Sequence, residues 1–337
     1  MTNEEDSMPK SITVRRSELT LPGHMMKFLE KAAASDADEI MADCEDACPL
    51  SAKGPEVRSV IVEAFTKLDW GTKFVTFRPN NTQSPFFEGD LEHVVKGAVD
   101  KFHGIIVPKT FLPSQIERVD ELLTKFEAQS GWKTKIQIEA LIETAQAVEN
   151  AYLIATASDR MASLVFGIAD YAADIGVGDA YTDQNIRFLY AKQRVINAAK
   201  AAGLDAIDNV HLQLTDLEAL RRYSTESAGY GFDGRWALTP RHIEIINETY
   251  TPTAAQMAHA QKVVELYEQA DTEQKLGAIV DPDNGEMIDE ATIKIAFKQL
   301  LKGFKAGRVE QSFMQKALRS TEHTGYNFLG ADILQAV

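Results

Sequence analysis

Short apolar runs of β type alternate with amphipathic stretches of helical period along most of the chain. The pattern predicts strands near 12–16 (ITVRR), 39–44, 73–78, 104–109, 136–142, 161–167, 204–208 and 235–239. Between them, apolar residues recur at helical spacing in stretches such as 24–35, 55–68, 113–129, 145–157, 186–202 and 216–228. Each unit is about 30 residues, the size of a βαβ repeat. Parallel neighbours need crossovers of this kind, so the alternation argues a parallel sheet. Eight strands separated by helices is the arithmetic of a (β/α)8 TIM barrel. A doubly wound open sheet has the same alternation and differs only in strand order. An eight-unit barrel closes near residue 250, which sets a catalytic domain at 11–250. Beyond Pro252 come a helix at 254–271, a turn-rich segment at 281–285 and a helix at 290–301. Residues 251–337 thus form a helical appendage rather than a ninth unit.

Composition narrows the class. Of the 337 residues, 45% are hydrophobic and 25% charged, the values of a folded soluble chain rather than a disordered one. No apolar run is long enough to predict a transmembrane helix. The 35 Lys and Arg stand against 50 Asp and Glu, a net charge of −15. Nucleic acid and anionic membranes repel such a chain, so an anionic ligand needs a local cluster of cations. The first ten residues lack the basic and apolar regions of a signal peptide. Cys44 and Cys48 are the only cysteines and make no disulfide framework. The expected compartment is the cytoplasm.

In a barrel, chemistry sits where strands end. The predicted strand ends carry Arg15 and Arg16, then Glu45 and Asp46, Arg78, Lys109, Glu143, Asp170, His211, and Thr239 with Arg241. Glu143 and Asp170 follow adjacent strands, and two such oxygen ligands suit Mg²⁺, which keeps waters and takes one or two carboxylates. Glu45 and Asp46 are placed to hold the metal's waters. Arg78 ends an otherwise apolar and hydroxyl-bearing strand and can stabilise an oxyanion. The run GIADYAAD opens a helix after strand 6, and its free N–H groups, around Gly167 and Ala169, can bind a carboxylate. The run GYGFDG at 229–234 has a helix before it and a strand after it, the reverse of a dinucleotide fingerprint.

These segments resemble the HpcH/HpaI aldolase and citrate lyase β-subunit family, and within it the malyl-CoA and β-methylmalyl-CoA lyase branch. The resemblance runs from Arg15 to about Leu301. It is carried by RRSELTLPG (15–23), CEDACPLSAKGPEVR (44–58), DWGTKFVTFRPN (69–80), IIVPKT (105–110), EALIETAQAVENAYLIATAS (139–158), FGIADYAADIG (166–176), AAGLDAID (201–208), GFDGRWALTP (231–240) and GEMIDEATIK (285–294). It implies a TIM barrel with a C-terminal lid reaching a neighbouring subunit, in a homotrimer or homohexamer. It implies Mg²⁺, or Mn²⁺ in its place, on Glu143 and Asp170. It implies Arg78 as catalytic and substrate-binding, and Asp289 as a proton-exchanging residue offered to a neighbour's site. Arg15 and Arg16 are the implied CoA-binding cations. The implied reaction is reversible Claisen-type cleavage of a 3-hydroxyacyl-CoA, such as malyl-CoA, β-methylmalyl-CoA or citramalyl-CoA, to an acyl-CoA and a 2-oxo acid such as glyoxylate. Alternatives are a malyl-CoA thioesterase, an aldolase acting on free 2-oxo acids, and a non-catalytic subunit. The chain departs from the family pattern in CEDAC (44–48), in Thr239-Pro240 after strand 8, and in Asn209 and His211 after strand 7.

Overall fold

The computed structural model describes residues 13–270 and 276–322. The sequence expectations that fall on 11–12, 271 and 323–337 lie outside these residues. Eight strands form a closed barrel in sequence order, all paired in parallel: β1 (Ser17–Pro22), β2 (Glu39–Asp43), β3 (Phe74–Arg78), β4 (Gly104–Val107), β5 (Gln137–Ile142), β6 (Met161–Phe166), β7 (Asp205–Asp208) and β8 (Gly234–Ala237). Ser17 opposite Arg235 closes the ring. An open doubly wound sheet is thereby excluded.

Local chemistry explains where the helices begin. Thr144, Asp216 and Thr239 each turn a side-chain oxygen onto a free backbone N–H of the helix that follows β5, β7 and β8 respectively. Proline at the first turn starts the helices Pro55–Lys67, Pro113–Ser130 and Pro240–Thr249, where its missing N–H costs nothing. Apolar faces such as Leu29, Ile61, Leu91, Leu123, Val148 and Val195 then bury against the outer wall of the barrel.

One strand differs from the sequence expectation. The apolar run ITVRR suggests a strand at 12–16, but β1 is SELTLP, five residues later. Glu18 and Thr20 of that strand point into the barrel, so polar residues occupy positions where hydropathy looks for apolar ones. The shift moves Arg15 and Arg16 from the end of a strand to the residues just before one.

Two compact units are present, one being Arg15–Tyr250 and the other built from Thr251 onward. In the second, helices Ala254–Gln269, Glu290–Lys305 and Gln311–Glu322 pack around Val263, Val264, Phe297, Leu300 and Met314. A small antiparallel pair, Ile279–Val280 with Met287–Ile288, precedes the middle helix. Among the described residues, no helix is long and apolar enough to cross a membrane.

Candidate active site at the barrel mouth

The C-terminal ends of β2 to β6 bring five of the predicted residues together. Arg78 is the last residue of β3, and its side chain is buried. Its Nε and one terminal nitrogen donate to the two oxygens of Asp43, at 2.7 and 2.6 Å. This paired contact fixes the plane of the guanidinium. The other terminal nitrogen lies 3.4 Å from Glu45 and 3.8 Å from Asp46. Trp236 of β8 lies under it, 5.4 Å from ring centre to guanidinium carbon. Asp43 is held in turn by the N–H groups of Glu45 at 2.8 Å and Ala47 at 2.7 Å. The carboxylates around Arg78 keep it protonated despite its burial.

Sequence reasoning gave no role to Asp43 or Lys109. The Lys109 ammonium bonds Glu45 and lies 3.2 Å from an Asp46 oxygen. Its backbone takes a φ of 50°, uncommon for a residue with a side chain. In that conformation its N–H donates to Glu143 Oε1 at 2.6 Å. A strained backbone at the lip of a pocket is where functional constraint tends to be stored. The one available signal was that Lys109 ends a predicted strand and Asp43 lies one residue before the end of another.

Glu143 follows β5, and Asp170 is the third residue of helix Ile168–Asp174, after β6. Gly167 separates them. A Cβ on Gly167 would stand 2.5 Å from the Glu143 Cβ and 2.7 Å from Glu143 Oε2, so only glycine lets the two strand ends approach this closely. Burial pushes the Glu143 carboxyl up to about 8, and the charge on Asp170 adds to the push. Two carboxylates repelling each other in a buried setting are poorly matched to protein alone. They are well matched to a hard divalent cation, which supplies the missing positive charge. Asp170 and Lys109, with Thr144, Asn81 and Phe111, also line an open cleft of about 390 Å³. Ala169 is exposed beside Asp170, and Gly167 is buried.

The remaining predicted residues make other contacts. Arg15 and Arg16 are at the opposite, N-terminal end of the barrel. Arg15 is buried and bonds Glu139, Gln137 and Asp205, with Glu39 at 3.3 Å. Gln137, Glu39 and Asp205 are the first residues of their strands. Arg16 is paired with Asp38 through Nε at 2.8 Å and a terminal nitrogen at 2.9 Å. Neither reaches the mouth, so their expected CoA-binding role is corrected: both arginines are occupied in holding strand starts together. Asp289 belongs to the second unit, where it caps helix Glu290–Lys305 by accepting from the N–H groups of Ala291 and Thr292 at 2.9 and 3.0 Å. Those N–H groups hold its carboxyl below the usual range. His211 is buried, and burial, reinforced by Arg235, pulls its imidazole down to about 4.

A barrel with acidic and basic groups gathered on its C-terminal strand ends is the architecture of an enzyme, and comparison with known proteins names the class. The HpcH/HpaI aldolase/citrate lyase family model matches residues 16–240. The L-malyl-CoA/β-methylmalyl-CoA lyase of Rhodobacter capsulatus is 30% identical over 303 residues, covering 86% of this chain and 94% of the relative. Citrate lyase subunit beta of Leuconostoc mesenteroides subsp. cremoris is 33% identical over 281 residues, covering 83% and 90%. In three dimensions, CitE of Mycobacterium tuberculosis, crystallised with magnesium, acetoacetate and coenzyme A, superposes with a TM-score of 0.70 at 23% identity, over 87% of this chain and 99% of that one. This chain belongs to the HpcH/HpaI aldolase/citrate lyase family, and it is a carbon–carbon lyase.

Proposed function

We propose that this chain is a Mg²⁺-dependent CoA-ester lyase, with Mn²⁺ able to replace Mg²⁺. It would cleave a 3-hydroxyacyl-CoA of the malyl-CoA, β-methylmalyl-CoA or citramalyl-CoA type, reversibly, to an acyl-CoA and a 2-oxo acid such as glyoxylate. The observation that carries the proposal is the juxtaposition, at one mouth, of the Glu143–Asp170 carboxylate pair and a guanidinium anchored on Asp43. The names of the relatives point the same way.

In this reading Glu143 and Asp170 hold the cation, with Glu45 and Asp46 orienting its waters. When bound, the metal acts as template and Lewis acid for the carboxylate and adjacent hydroxyl of the substrate. Arg78 keeps one terminal nitrogen turned away from Asp43, and that edge stabilises negative charge on the oxygen where it builds up as the C–C bond breaks. Its orientation is set beforehand by Asp43 and Trp236, so little reorganisation is needed during reaction. The N–H groups at the start of helix Ile168–Asp174, near Ala169 and beyond Gly167, whose own N–H is held by the Ile142 carbonyl, receive the carboxylate of the oxo-acid product. Asp289, kept ionised by its helix start, takes the proton from the acyl-CoA carbon in the condensation direction, and in cleavage returns to that carbon the proton released from the substrate hydroxyl.

Asp289 would serve the site of a neighbouring copy, which requires a homo-oligomer, here proposed as a homotrimer or homohexamer. Support comes from the packed helices Ala145–Ala155 and Leu189–Ala201, which expose Tyr152, Leu153 and Tyr190, and from the segment between Ile175 and Ile186, which exposes Ile175, Tyr181 and Ile186. Exposed apolar residues gathered on one face mark association surfaces.

The test is a Mg²⁺-dependent cleavage assay on a panel of 3-hydroxyacyl-CoAs, following oxo acid and free thiol separately. Oxo acid with acyl-CoA and no free thiol is the expected outcome. Free thiol without oxo acid would make the enzyme a thioesterase, and turnover of free hydroxy acids alone would make it an aldolase without a CoA handle.

A further inference from the structure

Below the mouth, the interior of the barrel holds a second group of carboxylates that the proposed reaction does not use. Glu18 of β1 and Glu39 of β2 are paired neighbours, and Glu139 of β5 faces them across the ring. Each offers an oxygen within 4.8 Å of the others, and all three are fully buried. Glu139 accepts from Arg15 Nε at 3.2 Å and from the Ser163 hydroxyl. Arg15 is also within 3.3 Å of Glu39 and 3.1 Å of Asp205. Neither oxygen of Glu18 has a hydrogen-bond partner among the described residues, although the side chain is wholly enclosed and turned into the cluster.

Charge counting shows what is missing. Three carboxylates face one guanidinium, so the cluster lacks about two positive charges if its acids are ionised. Buried anions without partners are among the least tolerated groups in a protein. Two protons or one divalent cation would restore the balance. Burial favours protons on Glu18 and Glu39, whose carboxyls it pushes well above the usual range. Geometry favours the cation. Hard divalent ions take oxygen ligands at roughly 2.1–2.6 Å, so ligand oxygens on opposite sides of one ion stand roughly 4–5 Å apart. The three carboxylate oxygens lie within 4.8 Å of one another, close enough to face one ion, and the donors are all oxygen; the Ser163 hydroxyl lies against Glu139.

We propose that Glu18, Glu39 and Glu139, with Ser163, form a buried site for a hard divalent cation, one of Mg²⁺, Ca²⁺ or Mn²⁺, captured on folding and separate from the mouth. Such an ion would tie β1 and β2 to β5 across the barrel, and its binding would contribute directly to folding.

The experiment counts metal, not activity, so its outcome is independent of the lyase proposal. The full-length Glu143→Ala/Asp170→Ala variant, which removes the mouth ligands, is purified from medium containing all three ions and gel-filtered into metal-free buffer. Elemental mass spectrometry should find one equivalent per chain, released when the chain is unfolded in guanidinium. Adding Glu18→Gln should reduce it below about a tenth of an equivalent. A folded Glu143→Ala/Asp170→Ala protein without metal, or metal that persists with Glu18→Gln, would overturn the site and assign the balancing charge to protons. If the Glu18→Gln protein does not fold, the wild type decides. Washed with chelator while folded, it should still release one equivalent on unfolding, and release of none overturns the proposal.

Discussion

The mouth and the floor of this barrel are built from the same residue types, and they differ in what encloses them. At the mouth, Arg78 is clamped by Asp43 yet keeps one terminal nitrogen turned away from it, and Asp170 and Lys109 line an open cleft. At the floor, Arg15 is surrounded by Glu39, Glu139, Gln137 and Asp205, with no open side. An arginine whose remaining nitrogen faces the mouth carboxylates Glu45 and Asp46 can meet a substrate there. An arginine whose nitrogens are all committed in the interior can only hold strands together. The sequence RRSELTLPG invites the first use for Arg15 and Arg16, and the structure assigns the second.

That contrast can be broken in measurable ways. The largest effect is expected from the proposed proton exchanger. Asp289→Asn keeps a good helix cap but removes the base, so kcat should fall by about 10²–10⁴ with the melting temperature unchanged. Unchanged turnover would remove Asp289 from the reaction. At the floor the pattern should invert. Arg15→Met leaves buried carboxylates unpaired, and urea unfolding should show a loss of about 3–5 kcal/mol. The KM for acyl-CoA should stay within about twofold of wild type at temperatures where the variant is folded, a change worth under about 0.5 kcal/mol. A large rise in KM with little loss of stability would return Arg15 to ligand binding.

Smaller effects sharpen the mouth itself. Gly167→Ala drives a methyl into Glu143, and isothermal titration should show Mg²⁺ binding weakened by about 10–100-fold. Equal affinity would mean that Glu143 can move aside without losing the cation. The mouth end should also respond to acid through His211. Its folded imidazole titrates near 4, below the ordinary value near 6.5, because burial and Arg235 disfavour its charge. The unfolded chain therefore binds more protons between these values, and stability is fully present above about 6.5 and lost as pH falls toward 4. The loss should be about 1–3 kcal/mol by urea midpoints, and His211→Gln should flatten that part of the profile.

Much of the mouth could be read from the chain because barrel strands end in register. Once β5 and β6 are located, Glu143 and Asp170 must face the same rim, and β3 brings Arg78 to it. The roles of Asp43 and Lys109 were not legible for a different reason. Asp43 acts through both oxygens on Arg78, a residue 35 positions away, and no local pattern announces such a pairing. Lys109 matters through a left-handed backbone that aims its N–H at Glu143, and a lysine in sequence gives no sign of that conformation.

By itself the sequence determined the class of fold, the number of strands and the residues that approach the rim at the C-terminal strand ends. Those follow from the period of apolar positions and from where each run stops, both of which are local. Tertiary structure decided where the first strand begins, and with it the end of the barrel on which Arg15 and Arg16 lie. A strand whose inward face carries Glu18 and Thr20 does not look apolar along the chain. It becomes a strand because Arg15, Glu39, Glu139 and Trp236 surround that face in space, and those neighbours are brought together only when the ring closes.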